Sequence, residues 1–129
     1  MEREELTHQI IGCAYRVYNA MGHGFLESVY EKCMLLELRE LGLMVENQHP
    51  IKVYYRGQEV GAFEADLFVE GSVIVELKPV RTLIQVHEVQ LVNYLKATGI
   101  DIGLLLNFGE QRVEVKRKLR VLPDASDSE

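Results

Sequence analysis

Two carboxylates and a lysine interrupt apolar segments near the middle of the chain. Residues 73–78 read VIVELK, and Asp66 precedes them in the apolar segment ADLFV. Residues i and i+2 of a strand share a face, so Glu76 and Lys78 point the same way. Carboxylate pairs bind hard cations such as Mg²⁺ or Mn²⁺, and a nearby ammonium can act on a metal-bound water or a phosphate. The pattern indicates the chemistry of a metal-dependent phosphodiesterase.

The hydrophobic pattern also predicts how these two segments pair around Gly71. A slip of one residue in the register of a hairpin turns all side chains of one strand to the other face of the sheet. The apolar residues of both strands therefore share a face only in the correct register. The predicted partners are Val69–Val73, Phe68–Ile74, Leu67–Val75, Asp66–Glu76, Ala65–Leu77 and Glu64–Lys78, with Phe63, Ala65, Leu67 and Val69 on one face. Like charges directly opposite each other repel, so a cation is expected between Asp66 and Glu76. Without one, the same residues would form a solvated face with an ordinary Glu64–Lys78 ion pair.

Polar residues on two predicted helices could complete such a site. His87, Gln90 and Tyr94 lie on one side of the helix that follows the Glu-x-Lys strand, where they could position a phosphate or water. The alternative for this stripe is a half-exposed helix flank. Glu27 opens an earlier helix, where a carboxylate complements the helix dipole without any catalytic role. It could equally reach the site as a third acid.

Periodicity predicts a single α/β domain with two helices, a three-stranded meander, a helix and two strands. The helices are expected over 4–21, 26–41 and 82–97, with Thr82 as a cap, and the strands over 51–55, 60–69, 73–79, 101–108 and from 112. The domain is expected to cover 1–122. The acidic residues 123–129 are expected to form a frayed tail.

Charge and composition exclude several classes of protein. The net charge is −6 at 129 residues, so the chain lacks the basic footprint of a general nucleic-acid binder. No apolar run is long enough to span a membrane, and the first residues, MEREELTHQ, lack signal-peptide character, so a cytoplasmic location is expected. The histidines and cysteines show no zinc-ligand spacing. A basic run over 112–120 could contact a nucleic-acid backbone or discourage sheet-edge association.

Three segments together resemble a known family. They are GFLESVY at 24–30, the ADLFV and VIVELK pair at 65–78, and HEVQLVNYLK at 87–96. The chain resembles the GxxExxY family from its first helix to about Leu122, and that family is similar to the PD-(D/E)XK superfamily of restriction-endonuclease-like nucleases. The resemblance implies a mixed β-sheet flanked by α-helices, with the Asp and the Glu-x-Lys on adjacent strands.

The resemblance also implies roles for individual residues. Asp66 and Glu76 would bind Mg²⁺ or Mn²⁺ with the Leu77 backbone carbonyl, Lys78 would be the catalytic lysine, Glu27 the helix-borne acid, and Gln90 and Tyr94 the Q-x-x-x-Y element. Ala65 stands where the superfamily name has Pro. Glu64 stands where relatives often carry a basic residue, and an ion pair with Lys78 would let it modulate activity.

Three hypotheses follow from the sequence. The first is a Mg²⁺-dependent nuclease acting on DNA or RNA, favoured by the complete set of acids and lysine. The second is a binding or adaptor protein that keeps the nuclease fold without turnover, favoured by the acidic composition and Glu64. The third is a structural subunit of an oligomer such as a homodimer, because exposed sheet edges often pair with a second copy.

Overall fold

The computed structural model describes residues 1–121, which contain three helices and five strands. The helices are α1 (Arg3–Met21), α2 (Glu27–Glu40) and α3 (Gln85–Thr98), and the strands are β1 (Val45–Tyr55), β2 (Gln58–Val69), β3 (Val73–Lys78), β4 (Ile102–Phe108) and β5 (Val113–Leu119). The predicted order of elements is confirmed. The predicted acidic tail over 123–129 lies outside the described residues.

The five strands form one mixed sheet in the order β1-β2-β3-β4-β5. β3 and β4 are parallel and are connected through α3, whereas the other neighbours are antiparallel. A parallel pair needs a crossover connection of this kind, because a tight turn would make the second strand antiparallel to the first. The predicted α/β class with a mixed sheet and flanking helices is confirmed.

Helices cover both faces of the sheet, and each face has its own core. α1 and α2 pack on one face against residues that include Leu67, Val75 and Leu104. α3 packs on the other face through Leu91, Tyr94 and Leu95. All seven residues of β4 are buried, as expected for a strand covered on both sides. A Cβ on Gly103 of β4 would lie 2.8 Å from Leu91 Cδ1, so glycine at this position lets α3 approach the sheet closely.

The predicted apolar face of β2 is wrong in its first half. Leu67 and Val69 pack on the α1/α2 side, but Ala65 belongs to the core on the α3 side, and Phe63 contacts Tyr94 of α3. Gln48, with a φ of 52°, lies on β1 between the residues that pair with Leu67 and Ala65. β1 changes cores at the same place, with Val45 on the α1/α2 side and Ile51 on the α3 side, so both strands turn over around the left-handed Gln48.

Within residues 1–121, no helix combines the length and the hydropathy that a membrane span requires.

Candidate active site

The candidate site lies where β2 and β3 separate. The predicted pairs Val69–Val73, Phe68–Ile74 and Leu67–Val75 are confirmed, and the ladder stops there. The Asp66 N–H then donates to Glu76 Oε2, and the Leu77 N–H donates to Asp66 Oδ2, both at 2.8 Å. The two carboxylates therefore lie in the gap between the strands and replace main-chain hydrogen bonds. The pairs predicted beyond Leu67 are not formed, because β2 continues there on β1 alone.

Burial sets the electrostatics of this carboxylate pair. Asp66 and Glu76 are only 8% and 7% exposed. Burial and the Asp66 charge together raise the pKa of Glu76 to about 8. Burial likewise raises the pKa of Asp66, although the Leu77 N–H opposes the shift. Two adjacent buried carboxylates ionise fully only when a cation compensates them.

We expect the metal-free protein to lose stability as the pH rises from about 4.5 to about 8. Over that range the unfolded chain ionises Glu76 while the folded chain keeps it protonated, so the free energy of unfolding falls by about 2–4 kcal/mol. Urea unfolding in EDTA at several pH values measures this slope. Glu76→Gln should flatten it, and an equal slope in that variant would contradict the assignment.

Glu27 and Lys78 are also placed at this gap. Glu27 is the first residue of α2, and Lys78 is the last residue of β3. Burial, followed by the Asp66 charge, raises the pKa of Glu27, while the Lys78 charge opposes the shift. Both side chains are half-buried. The structure thus brings together the two acids, the helix-borne acid and the lysine that were singled out in the sequence.

The expected ion pair between Glu64 and Lys78 is absent. Glu64 is exposed and pairs with Pro50 of β1. None of the ion pairs in residues 1–121 involves either side chain. The prediction failed because β2 and β3 separate at Asp66, so Glu64 does not lie opposite Lys78.

The α3 residues reach the site to different degrees. Tyr94 is buried, and burial followed by the Glu76 and Asp66 charges raises its pKa, while a hydrogen bond with Gln90 opposes this. His87 Nδ1 lies 3.4 Å from the Ile84 N–H at the start of α3, so this ring nitrogen caps the helix. Burial, followed by the Lys78 charge, lowers the His87 pKa.

A buried amide fixes the loop between Lys78 and α3. Asn107 of β4 accepts from the Val80 N–H and donates to the Val80 carbonyl and to Glu114. Glu114 also accepts from the Leu83 N–H and from Thr82. Thr82 is therefore tied to β5, which explains why α3 begins at Gln85 instead of at the predicted cap.

Two residues at the site were not identified from the sequence. Glu31 lies one turn after Glu27 on α2, and its carboxylate accepts from the Gln48 side chain. The Glu31 charge raises the pKa of Asp66, and a Gln48 hydrogen bond lowers it. The i,i+4 spacing of Glu27 and Glu31 could have indicated the first residue. No pattern in the sequence marks the left-handed Gln48.

The donor set suits a hard divalent cation that keeps several water ligands. No group of three or more His, Cys, Asp or Glu side chains in the described residues is arranged to hold a metal. Asp66 and Glu76 each use one oxygen for a main-chain N–H, so a second oxygen can face a ligand. The Leu77 N–H points into the gap, and the carbonyl of the same strand residue projects to the same side. Two carboxylates, one carbonyl and waters match Mg²⁺ or Mn²⁺.

Comparison with known protein families decides the assignment. The model of the PD-(D/E)XK nuclease superfamily matches residues 4–118. The chain belongs to the PD-(D/E)XK nuclease superfamily. The Asp66, Glu76 and Lys78 constellation lies within the region that matches this superfamily.

A solved structure supports the same fold. The crystal structure of SSO0001 aligns with a TM-score of 0.56 and 18% sequence identity, over 95% of this chain and 62% of that chain. At this identity the likeness shows the fold alone, and the chain spans less than two thirds of the length of SSO0001. A comparison with curated proteins finds no match.

Proposed function

We propose that this chain is a divalent-metal-dependent nuclease of the GxxExxY type, which hydrolyses phosphodiester bonds of DNA or RNA. The observation that carries the proposal is the buried Asp66–Glu76 pair in the gap between β2 and β3. Strand separation deprives the backbone of two hydrogen bonds, and the carboxylates supply them. Such an arrangement holds both acids rigidly at one point, as a metal site requires.

Asp66, Glu76 and the Leu77 carbonyl would hold the cation, for which we propose Mg²⁺ or Mn²⁺. A bound divalent cation of this kind supplies Lewis-acid polarisation of the phosphate and a more acidic water. The raised pKa of Glu76 follows from uncompensated burial beside Asp66. Cation binding is therefore expected to release protons near neutral pH.

The remaining residues would act on the water and the phosphate. Lys78 is half-buried at the end of β3, and it can hold or move a proton at the attacking water or offset phosphate charge. Glu27 would orient water from the start of α2. Gln90 and Tyr94 would position the phosphate from α3, and His87 would assist through Nε2–H, because its Nδ1 accepts from the Ile84 N–H.

A binding protein without turnover is the second candidate, and the net charge of −6 favours it. The other reason for this second candidate was an expected ion pair between Glu64 and Lys78, and that pair is absent from the described residues. Lys78 has no ion-pair partner there that would withhold it from chemistry.

Incubation of the purified protein with plasmid, single-stranded DNA and RNA tests the nuclease proposal. Each substrate is supplied with Mg²⁺, Mn²⁺ or EDTA, beside Glu76→Ala and Lys78→Ala prepared in the same way. We expect cleavage of at least one substrate that requires the cation and is lost in both variants. Cleavage that survives both substitutions comes from a contaminant, and binding without cleavage by the wild-type protein would favour the second candidate.

A further inference from the structure

An apolar groove adjoins the candidate site on the α3 side of the sheet. This open groove has a volume of about 590 Å³ between α3 and the β1–β2 hairpin, and its walls include Val53, Phe63, Val86 and Val89. This volume falls within the range of about 300–1,000 Å³ that is typical of small-molecule pockets. The groove can therefore accommodate a flat, largely apolar group.

The groove presents an aromatic surface. The ring centroids of Phe63 and Tyr94 lie 5.4 Å apart with the planes tilted by 39°. Phe63 is 45% exposed, whereas Tyr94 is 7% exposed and fixed in the core. A partly exposed ring supported by a buried one gives a rigid platform on which another aromatic group can stack.

The polar residues of the groove suit a nucleotide. Lys96 lies at the groove, and the amides of Gln90 and Asn93 can each donate and accept hydrogen bonds. No carboxylate lines this groove within residues 1–121, although the chain has 20 acidic residues. The local charge thus differs in sign from that of the whole molecule and complements a phosphate.

The groove and the site between β2 and β3 are linked through Tyr94 of α3. Gln90 and Tyr94 line the groove, and Tyr94 packs in the same core as Ala65, which precedes Asp66 on β2, and Ile74, which lies two residues before Glu76 on β3. A ligand in the groove would therefore place an attached phosphate toward the carboxylate pair.

We propose that the groove binds an unpaired nucleobase by stacking on Phe63, so that the preferred substrate is a single-stranded nucleic acid. This inference rests on the proposed nuclease function and names its substrate class. A base inside a duplex is stacked on both faces and cannot enter a side groove without being extruded. Stacking on aromatic side chains is the usual way in which proteins hold single strands without reading their sequence.

Fluorescence anisotropy with labelled oligonucleotides in Ca²⁺ tests the proposal. The probes are a single-stranded 12-mer, its duplex, and an abasic single strand that keeps the phosphates. Phe63→Leu keeps an apolar side chain without a ring, Phe63→Tyr keeps the ring, and Tyr15→Leu changes an aromatic residue of α1 that is 47% exposed. We expect Phe63→Leu to weaken single-strand binding by about 5- to 150-fold, the range for the loss of one stacked base. Phe63→Tyr and Tyr15→Leu should bind like the wild type.

Three results would overturn the groove assignment. The first is equal binding of the single strand and the duplex, and the second is equal binding of the intact and abasic strands. The third is a dimer, detected by sedimentation, that dissociates in Phe63→Leu, because the groove would then be an interface with a second copy. Metal-dependent cleavage by the wild-type protein would leave the nuclease proposal intact in each case. The absence of such cleavage, together with base-dependent binding, would overturn only the nuclease proposal.

Discussion

Glu76→Gln is expected to lower the rate of metal-dependent cleavage by at least about a thousandfold, since a catalytic cation contributes several kcal/mol to the transition state. The amide keeps the size of the side chain and can still accept from the Asp66 N–H. It removes the negative charge that a divalent cation requires. The loss should therefore appear in activity without unfolding, and single-turnover cleavage with circular dichroism as a folding check measures both.

Glu64→Gln is the matched control for that substitution. It makes the same chemical change on β2, but Glu64 is exposed and pairs with Pro50 instead of facing Lys78. We expect its cleavage rate to equal that of the wild type. A large loss in Glu64→Gln, or a Glu76→Gln variant that retains activity, would contradict the site described between β2 and β3.

Lys78→Met is expected to reduce the single-turnover rate by about 100- to 10,000-fold, the contribution of a positioned acid or base. Methionine keeps the apolar stem at the end of β3 and removes the ammonium. Metal affinity should not fall, because the Lys78 charge repels a cation instead of binding it. Rate measurements at saturating Mn²⁺ therefore separate the role of Lys78 from that of Glu76.

Two further variants sharpen the Lys78 experiment. Lys78→Arg retains the positive charge but cannot exchange a proton, so a rate close to that of Lys78→Met would indicate proton transfer. Lys52→Met removes an exposed lysine of β1 that forms a surface ion pair with Glu59. This control variant should cleave at the wild-type rate. Equal rates in the wild type and Lys78→Met would refute a catalytic role for Lys78.

Hydrophobic patterning is sufficient to predict the order of elements and part of the sheet register. Val69–Val73 and Leu67–Val75 pair as predicted, because only this register keeps the four side chains together on a buried face. The predicted pairing fails from Asp66 onward. There the side chains of Asp66 and Glu76 take over hydrogen bonds of the ladder, and alternation of residue types does not encode such a substitution.

The site itself is only partly visible in the sequence. Asp66, Glu76 and Lys78 are identifiable because charged residues are unusual in apolar strands. Glu31 is marked only by its i,i+4 spacing from Glu27, and Gln48 is not marked at all, because its role depends on a left-handed backbone conformation. The start of α3 is also missed, since Thr82 has an unpredicted partner in Glu114, which is distant in sequence.

Calorimetric titration of Mn²⁺ into the protein without nucleic acid tests the metal assignment most directly, because it does not depend on knowing the substrate. The wild-type protein, Asp66→Asn, Glu76→Gln and Glu64→Gln are compared at one pH. We expect saturable binding in the wild type and in Glu64→Gln, with loss of affinity in Asp66→Asn and Glu76→Gln. Equal Mn²⁺ affinity in all four proteins would contradict a metal centre at Asp66 and Glu76.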